Sequence, residues 1–126
     1  MCSTLNLVKL SNEFEIKHLI NISTDKAIRP SNVMGASKRL SELILLNFKN
    51  DNTKTSIVRF GNVINSNGSV IPLFNKQIQE GGPVTVTNKD VTRYFMSIEE
   101  AVCLVLESTF YSRNKDIFIL DMGNPI

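Results

Sequence analysis

The fold is decided by residues 19–60, which read LINISTDKAIRPSNVMGASKRLSELILLNFKNDNTKTSIVRF. The stretch opens with a short apolar run at 19–22 that stops at polar residues, as a buried parallel strand does where it meets a loop. After a turn at 30–32, an apolar stripe at helical spacing predicts a helix: Ala36, Leu40, Leu43, Ile44 and Leu46. Residues 56–60 predict a second buried strand. Strand, helix and strand in this order predict a right-handed parallel crossover and hence an α/β fold.

The rest of the chain continues the same alternation. Helical spacing and short apolar runs predict three more helices and two more strands, the helices at 5–14, 70–78 and 98–108 and the strands at 84–87 and 117–121. The sequence contains no repeat and no Pro/Gly/Ser-rich linker. We therefore expect a single domain over residues 1–126.

Composition argues against several classes of function. Of the 126 residues, 42% are hydrophobic, which is enough for a packed core. The formal net charge of +2 gives no bulk attraction to nucleic acid or to an anionic membrane. Cys2, Cys103 and the single His18 have no spacing typical of a metal site or a disulfide framework, so we expect no metal and a reducing, cytoplasmic location. No apolar run approaches the roughly 20 residues of a bilayer-spanning helix, which leaves open that a longer parent protein is anchored to the inner membrane.

Residues 22–42, ISTDKAIRPSNVMGASKRLSE, resemble the active-site segment of extended short-chain dehydrogenases. The similarity is to the CapD-like polysaccharide biosynthesis family, whose members dehydrate UDP-N-acetylhexosamines. The resemblance implies a partial Rossmann-like α/β unit, with parallel strands, crossover helices and part of a substrate-binding subdomain. Residues 1–63 would be the later part of the dinucleotide-binding fold with the active-site segment, and residues 64–126 the nucleotide-sugar-binding part.

In most short-chain dehydrogenases the helix after this strand begins with the motif YxxxK. Here Met34 occupies the tyrosine position and Lys38 the lysine position. The resemblance implies that Lys38 holds the nicotinamide ribose of NAD(P) and that the hydroxyl of Ser23 or Thr24 binds the sugar 4-hydroxyl. A thioether cannot donate the proton that accompanies hydride transfer. A branch of the same family also has Met at this position, so Met34 marks a subclass.

Asp25 and Lys26 match the pair that performs elimination in this family. By resemblance, Lys26 removes the C5 proton of the oxidised sugar and Asp25 protonates the departing C6 hydroxyl. This chemistry requires the pKa of the lysine to be lowered and that of the carboxyl to be raised, which is what we expect at the site. The tetrapeptide also has a second interpretation, in which Ser-Thr-Asp caps the next helix and Lys26 is a solvated charge. The NVMGASKR segment at 32–39 favours the catalytic interpretation.

A second stretch, residues 59–102, resembles the nucleotide-sugar-binding half of the same family. Asn62 lies at the family position that reaches the sugar or the diphosphate. Ser69 and Val70 begin a predicted helix whose free backbone amides suit a phosphate. Arg93 matches an arginine that pairs with the diphosphate, for which a guanidinium fork is well suited. Taken singly, the glycines here also fit ordinary turns and Arg93 a surface charge, but their ordered series favours binding roles.

The glycine-rich turn of a dinucleotide-binding fold, GxGxxG, does not occur in these 126 residues. We therefore expect the chain to be the middle and later part of a catalytic unit, to bind NAD(P) poorly by itself and to expose an apolar face. A UDP-sugar is the expected substrate. A separately encoded N-terminal half is a candidate partner, and a homo-oligomer is the expected state of the intact family.

The leading interpretation is a fragment of a nucleotide-sugar 4,6-dehydratase, which oxidises C4 of the sugar and eliminates across C5–C6. One alternative is a nucleotide-sugar epimerase of the same superfamily, which does not require Asp25 and Lys26. Another is a non-catalytic remnant or partner module that lacks the cofactor site. The residues do not decide whether the chain by itself is an enzyme, which hexosamine is used, or the stereochemistry at C5.

Overall fold

Helices and strands alternate in the computed structural model, which describes residues 2–49, 52–64, 70–86 and 88–126. The described residues form four α-helices: α1 (Cys2–Glu13), α2 (Val33–Asn47), α3 (Val70–Gln79) and α4 (Ile98–Tyr111). The strands in the same residues are β1 (His18–Thr24), β2 (Lys54–Phe60), β3 (Asn62–Val63), β4 (Phe95–Met96) and β5 (Asp116–Ile119). A short 3₁₀ helix, Asp25–Ala27, follows β1 directly. The predicted α/β class is confirmed.

A parallel sheet is formed by three strands in the order β1-β2-β5. The register places Ser23 beside Arg59 and Thr24 beside Phe60, and on the other side of β2 it places Ile119 beside Arg59. The three strands therefore end at the same edge, and α2 connects β1 to β2. In open α/β sheets, ligands bind outside the carboxyl ends of the strands. This carboxyl edge is thus the place to look for a site.

The hydrophobic core lies where α1 and α2 pack on the sheet. Its centre is formed by Val8 of α1, Leu45 of α2 and Ile57 of β2, each at most 1% exposed. Burying a side chain of this kind contributes roughly 1.5–3 kcal/mol. The first turn of α2 is capped by Asn32, whose Oδ1 accepts a 2.8 Å hydrogen bond from the amide of Gly35. The cap and the core together place the start of α2 close to the end of β1.

A second, two-stranded sheet lies just beyond the end of β2. β3 follows β2 after one residue and pairs in parallel with β4. The amide of Asn62 donates to the Tyr94 carbonyl at 3.2 Å, and the amide of Ile64 donates to the Met96 carbonyl at 2.9 Å. This pairing brings the loop before β4, which contains Arg93, to the carboxyl edge of the main sheet. Strands of two residues carry too little pattern to be predicted from sequence.

The strand predicted at 84–87 is wrong for its described part, because residues 84–86 have no regular structure; Thr87 lies outside the described residues. The amide of Thr85 donates to Gln77 Oε1 at 3.0 Å, and Gln77 Nε2 donates to Thr85 Oγ1 at 2.6 Å. A side chain of α3 thus takes the place of a neighbouring strand, which a β ladder would need. The last strand also ends earlier than predicted, at Ile119.

The apolar faces of α3 and α4 are largely exposed. All residues of both helices are described; none is buried in α3, and Ala101 and Ser108 are the buried ones in α4. Val102, Leu106 and Phe110 of α4 are 51%, 58% and 85% exposed. The expected exposure of an apolar face is confirmed. Within the described parts of the chain, no helix is long and apolar enough to cross a membrane.

Candidate active site

Three of the predicted site residues lie where β1 ends and the 3₁₀ helix begins. Thr24 is the N-cap of the 3₁₀ helix, and its hydroxyl oxygen accepts a 3.4 Å hydrogen bond from the amide of Lys26. The same hydroxyl donates to Asp25 Oδ1 at 2.8 Å. That Asp25 oxygen also accepts from the amide of Lys26 at 2.9 Å. The tetrapeptide does cap a helix, and the capping contacts fix the Asp25 carboxylate beside Lys26.

Lys26 links this turn to the small sheet. Its ammonium donates to Asp25 Oδ1 at 2.9 Å and to Asn62 Oδ1 at 3.3 Å. The side chain of Lys26 is 35% exposed and that of Asp25 is 48% exposed, so both can meet a ligand. The structure therefore brings together three residues, Asp25, Lys26 and Asn62, that come from two separate sequence motifs.

The charge state of Asp25 differs from the expectation. Burial raises the pKa of this carboxyl, but hydrogen bonds from Lys26 and Thr24 and the charge of Lys26 outweigh that effect. The pKa of Asp25 consequently lies below its ordinary value, whereas a proton donor was expected to have a raised pKa. The reason is the direct contact with a charged lysine, which stabilises the carboxylate.

The two candidate hydroxyls, Ser23 and Thr24, have different surroundings. Ser23 is 4% exposed, and its hydroxyl donates to Glu42 Oε1 at 2.6 Å. Thr24 is half-buried and its hydroxyl contacts Asp25. The Thr24 hydroxyl therefore lies beside the candidate acid Asp25, whereas the Ser23 hydroxyl faces the interior.

α2 positions the residues that correspond to the YxxxK motif. Met34 lies in its first turn and is 47% exposed. Lys38 lies one turn later, and its ammonium donates to the Ile22 carbonyl at 3.1 Å, which places the charge at the end of β1. The helix can approach this closely because residue 35 is glycine. A Cβ at Gly35 would lie 2.6 Å from the carbonyl oxygen of Lys26.

Two adjoining cavities open at the carboxyl edge. The polar cavity has a volume of about 360 Å³ and is lined by Asp25, Lys26, Ser31, Asn32, Thr92, Arg93 and Tyr94. The apolar cavity, of about 300 Å³, shares Asp25 and Tyr94 with it. Two of its other lining residues are charged, Arg59 and Asp121, and the rest are apolar: Ile28, Phe60, Gly61, Ile119, Leu120, Met122 and Gly123. Asp25 therefore faces both cavities.

Arg93 and Lys26 place two cationic side chains on the polar cavity. The backbone amide and carbonyl of Arg93 both pair with Ile126, at 2.8 Å each, which holds the loop in place. The guanidinium donates to the Thr92 carbonyl at 2.8 Å and has further N–H donors to offer a ligand. This arrangement suits an anionic ligand with several acceptor oxygens.

The predicted phosphate site at the start of α3 is described in part. Val70 is the first residue of α3 and is 41% exposed. It is absent from the described residues that line the polar and the apolar cavity. Ser69 lies outside the described residues. The structure thus groups Asn62 and Arg93 with the catalytic turn and leaves Val70 apart from both cavities.

Sequence reasoning missed Glu42 and Arg59. The carboxylate of Glu42 is fully buried and is held by Arg59, Arg39 and Ser23. Arg59 is 8% exposed and also lines the apolar cavity. The signal that was available is a charge inside an apolar strand, because buried charges need partners. The partner, which comes from a helix surface, could not be identified from the strand alone.

A family described as "Polysaccharide biosynthesis protein" matches residues 1–126. The chain belongs to this family. The capsular polysaccharide biosynthesis protein CapD of Staphylococcus aureus is 52% identical over 125 residues, which are 98% of this chain and 21% of CapD. The UDP-glucose 4-epimerase of Rickettsia canadensis is 39% identical over 118 residues, which are 90% of this chain and 35% of the epimerase. This family member thus spans about a fifth to a third of these relatives.

Solved structures agree with the fold of this family member. Pen from Bacillus thuringiensis has a TM-score of 0.89 at 35% identity, with 95% of this chain and 38% of Pen covered. A double mutant of DesIV, a dTDP-glucose 4,6-dehydratase from Streptomyces venezuelae solved with NAD bound, has a TM-score of 0.89 at 16% identity, with 98% of this chain and 44% of DesIV covered. At 16% identity the likeness shows the fold alone. The CapD-like family and the Rossmann-like fold of extended short-chain dehydrogenases are confirmed.

Proposed function

We propose that this chain carries the sugar-binding and eliminating part of a nucleotide-sugar 4,6-dehydratase that acts on a UDP-N-acetylhexosamine in surface polysaccharide biosynthesis. The observation that carries the proposal is the 2.9 Å contact between Lys26 Nζ and Asp25 Oδ1, at a cavity that Arg93 also lines. In this proposal Lys26 is the base, Asp25 the acid and Arg93 the cationic anchor around one space of about 360 Å³. Membership of a polysaccharide biosynthesis family supports the biological setting.

One proton transfer sets both catalytic roles in this proposal. Without substrate, Lys26 carries the proton and Asp25 is a carboxylate. Moving the proton from Nζ to Oδ1 across their contact produces a neutral amine and a carboxylic acid. A sugar that displaces water from the pair favours these neutral forms. The Lys26 amine then takes the C5 proton, the C5–H electrons form the C5–C6 double bond, and Asp25 protonates the C6 hydroxyl, which leaves as water.

The hydroxyl proposed to bind the sugar 4-hydroxyl is that of Thr24, since the Ser23 hydroxyl donates to Glu42. NAD(P), when bound, supplies the oxidation at C4. Among the described residues, Lys38 is the one proposed to contact NAD(P), at the ribose of its nicotinamide end. Met34 lies exposed at the same end of α2 and has no titratable proton to contribute.

The proposed nucleotide-sugar contacts are Asn62, which adjoins Lys26, and Arg93, which lines the polar cavity. Arg93 supplies a charge-assisted fork for the diphosphate. Asn62 contacts Lys26, so the residue that binds the sugar also adjoins the base. A homo-oligomer and a cytoplasmic location belong to the same proposal.

An epimerase of the same superfamily is the second candidate. The 39% identity to the UDP-glucose 4-epimerase of Rickettsia canadensis favours it. Such an enzyme would oxidise C4 without eliminating across C5–C6. It would therefore have no use for Lys26 as a C5 base, and loss of that side chain separates the two candidates.

The test uses the chain joined to the dinucleotide-binding part of CapD. Lys26→Ala is expected to lower the dehydration turnover at least about a hundredfold, because a proton-transfer group contributes typically 10²–10⁴-fold. UDP affinity is expected to change little, because the Lys26 ammonium is paired with Asp25 and Asn62. Arg93→Ala is expected to weaken UDP binding through loss of a charge-assisted contact. Lys76→Ala is the matched control, since the side chain of Lys76 is 71% exposed on α3. Dehydration rates and UDP titrations are measured on all variants.

Near-normal dehydration by Lys26→Ala would reject Asp25 and Lys26 as the eliminating pair. If the Lys26→Ala variant still interconverts UDP-glucose and UDP-galactose, the epimerase is favoured. Absence of both reactions in the unmodified joined protein, with UDP still bound, would favour the non-catalytic interpretation.

A further inference from the structure

Glu42 and Arg59 form a buried charge cluster next to the site that the proposed chemistry does not use. Arg59 donates from Nε to Glu42 Oε1 at 2.8 Å and from a terminal nitrogen to Oε2 at 2.6 Å. Arg39 adds a 2.9 Å hydrogen bond to Oε2, and Ser23 adds a 2.6 Å hydrogen bond to Oε1. The Glu42 side chain is fully enclosed, and both of its oxygens are paired.

The cluster connects β1, α2 and β2, and the first two of these carry the proposed catalytic residues Thr24 and Lys38. Ser23 lies on β1, Arg59 is its register partner on β2, and Glu42 lies on α2 one helical turn after Lys38. Residues four apart share one face of a helix. Lys38 and Glu42 therefore bind adjacent residues of β1. Lys38 donates to the carbonyl of Ile22, and Glu42 accepts from the Ser23 hydroxyl.

The chemistry of the pair points to geometry more than to stability. A buried ion pair can often be replaced by apolar side chains without loss of stability, but a guanidinium fork binds a carboxylate in one defined orientation. Burial raises the pKa of Glu42, yet hydrogen bonds from Arg59, Ser23 and Arg39 lower it to about 2. Glu42 therefore stays ionised near neutral pH, and the Arg59 guanidinium stays paired with it.

We propose that the Glu42–Arg59 pair is a positioning device that sets the distance between α2 and the end of β1, and thereby the position of Lys38 relative to Thr24. Neither residue of the pair is assigned a contact with substrate. The effect on turnover rests on the proposed function, in which Lys38 and Thr24 serve the oxidation at C4. The effect on local structure does not depend on it.

The turnover test compares Glu42→Gln and Arg59→Lys in the joined protein. Glu42→Gln keeps the side-chain shape and removes the charge. Arg59→Lys keeps the charge and removes the fork, so it provides a variant that folds if Glu42→Gln does not. Each is expected to lower kcat, counted per UDP-binding site, about ten- to a hundredfold, because a small misplacement of a catalytic group has that effect. KM for the UDP-sugar is expected to stay within about threefold.

The matched control is a buried polar residue at the other end of β2. Thr53 is 2% exposed, and its hydroxyl donates to the Ser11 carbonyl at 2.7 Å. Thr53→Val is expected to lower the melting temperature while kcat per UDP-binding site is unchanged. If the Glu42 and Arg59 variants behave in the same way, with kcat within about twofold of the unmodified protein, the positioning role is rejected.

Amide hydrogen exchange on the 126-residue chain gives a second readout that needs no turnover. Glu42→Gln is expected to accelerate exchange in residues 22–28 by about tenfold or more and to leave α4 unchanged, because local opening is controlled by local contacts. Uniform acceleration along the chain, or none, would reject the positioning role. If the unmodified joined protein shows no dehydration, the proposed function fails and the exchange result alone decides on the pair.

Discussion

One face of α2 is buried, although Leu40 and Leu43 of its predicted apolar stripe are each 38% exposed, whereas the apolar face of α4 is largely exposed. α2 buries Leu45 between α1 and the sheet, and even its charged Glu42 is enclosed. In α4, Leu106 and Phe110 are 58% and 85% exposed. The contrast extends to the neighbouring elements, since β2 is buried except at its two ends, while every residue of α3 is at least partly exposed.

The difference in burial between α2 and α4 shows how much of a helix environment an amphipathic sequence pattern can predict. Periodicity predicts that a helix has a face that avoids water, but tertiary packing decides which residues are covered, and in α2 these include Ser41, Glu42 and Leu45. For α2, the residues that pack against it come from α1, β1, the 3₁₀ helix and β2, all of which lie within the described part of the chain. For α3 and α4 the pattern is present, and the described residues cover little of it. Exposed apolar stripes of this size are typical of surfaces that another segment covers.

The largest expected difference between the two regions is in the cost of removing a leucine. Leu45 is 1% exposed, so Leu45→Ala is expected to lower the free energy of unfolding by about 2–5 kcal/mol through lost burial and a residual cavity. Leu106→Ala, at an exposed position, is expected to change it by less than about 0.5 kcal/mol. Urea unfolding curves with equal slopes measure both. Equal costs would show that the α4 face is covered in solution.

Acid sensitivity is expected to come from the α2 region. The pKa of Glu42 is about 2 in the folded chain against an ordinary 4.5, so its pairing stabilises the fold above pH 4.5. As the pH falls from about 4.5 to 2, up to about 3 kcal/mol of this stability is lost. Glu42→Gln is expected to flatten the dependence of unfolding free energy on pH in that range.

Glu100, in the capping box of α4, is the matched control for Glu42. A hydrogen bond from the backbone of Ser97 lowers the pKa of Glu100, but this carboxylate is in solvent. Glu100→Gln is therefore expected to change the loss of unfolding free energy at acid pH much less than Glu42→Gln does. If the unfolding free energy of both variants depends on acid pH in the same way, a special role for the buried Glu42–Arg59 pair is contradicted.

A further expected difference concerns glycines. Gly35→Ala would place a Cβ 2.6 Å from the Lys26 carbonyl oxygen, and separating α2 from this turn is expected to cost about 1–3 kcal/mol. At Gly82 the nearest atom to an added Cβ is the Gln77 carbonyl oxygen at 3.6 Å, so Gly82→Ala is expected to be neutral or stabilising by up to about 1 kcal/mol. The melting temperatures of the two variants are compared. Equal values would mean that α2 and the turn at Lys26 can separate without loss of stability.

Local patterns predicted the regular elements well where one type of contact dominates. β1, α2 and β2 lie where the apolar runs and stripe of residues 19–60 predict them. The strand predicted at 84–87 is wrong in its described part because the Val-Thr alternation there reports β propensity, while Gln77 of α3 binds Thr85 instead. Which partner a backbone finds depends on the tertiary structure, which short-range pattern does not contain.

The sequence by itself determined the family, the parallel crossover and the identities of Asp25, Lys26 and Arg93 as site candidates, because these depend on residue order and on spacing along one segment. The tertiary structure decided that Asn62 contacts Lys26 and that Ser23 faces Glu42. It also decided that the pKa of Asp25 is lowered and that Arg59 finds its partner on α2. Hydrogen bonds and Coulomb interactions act over a few ångströms in space, and only the packing of helix on sheet brings residues so distant in sequence within that range.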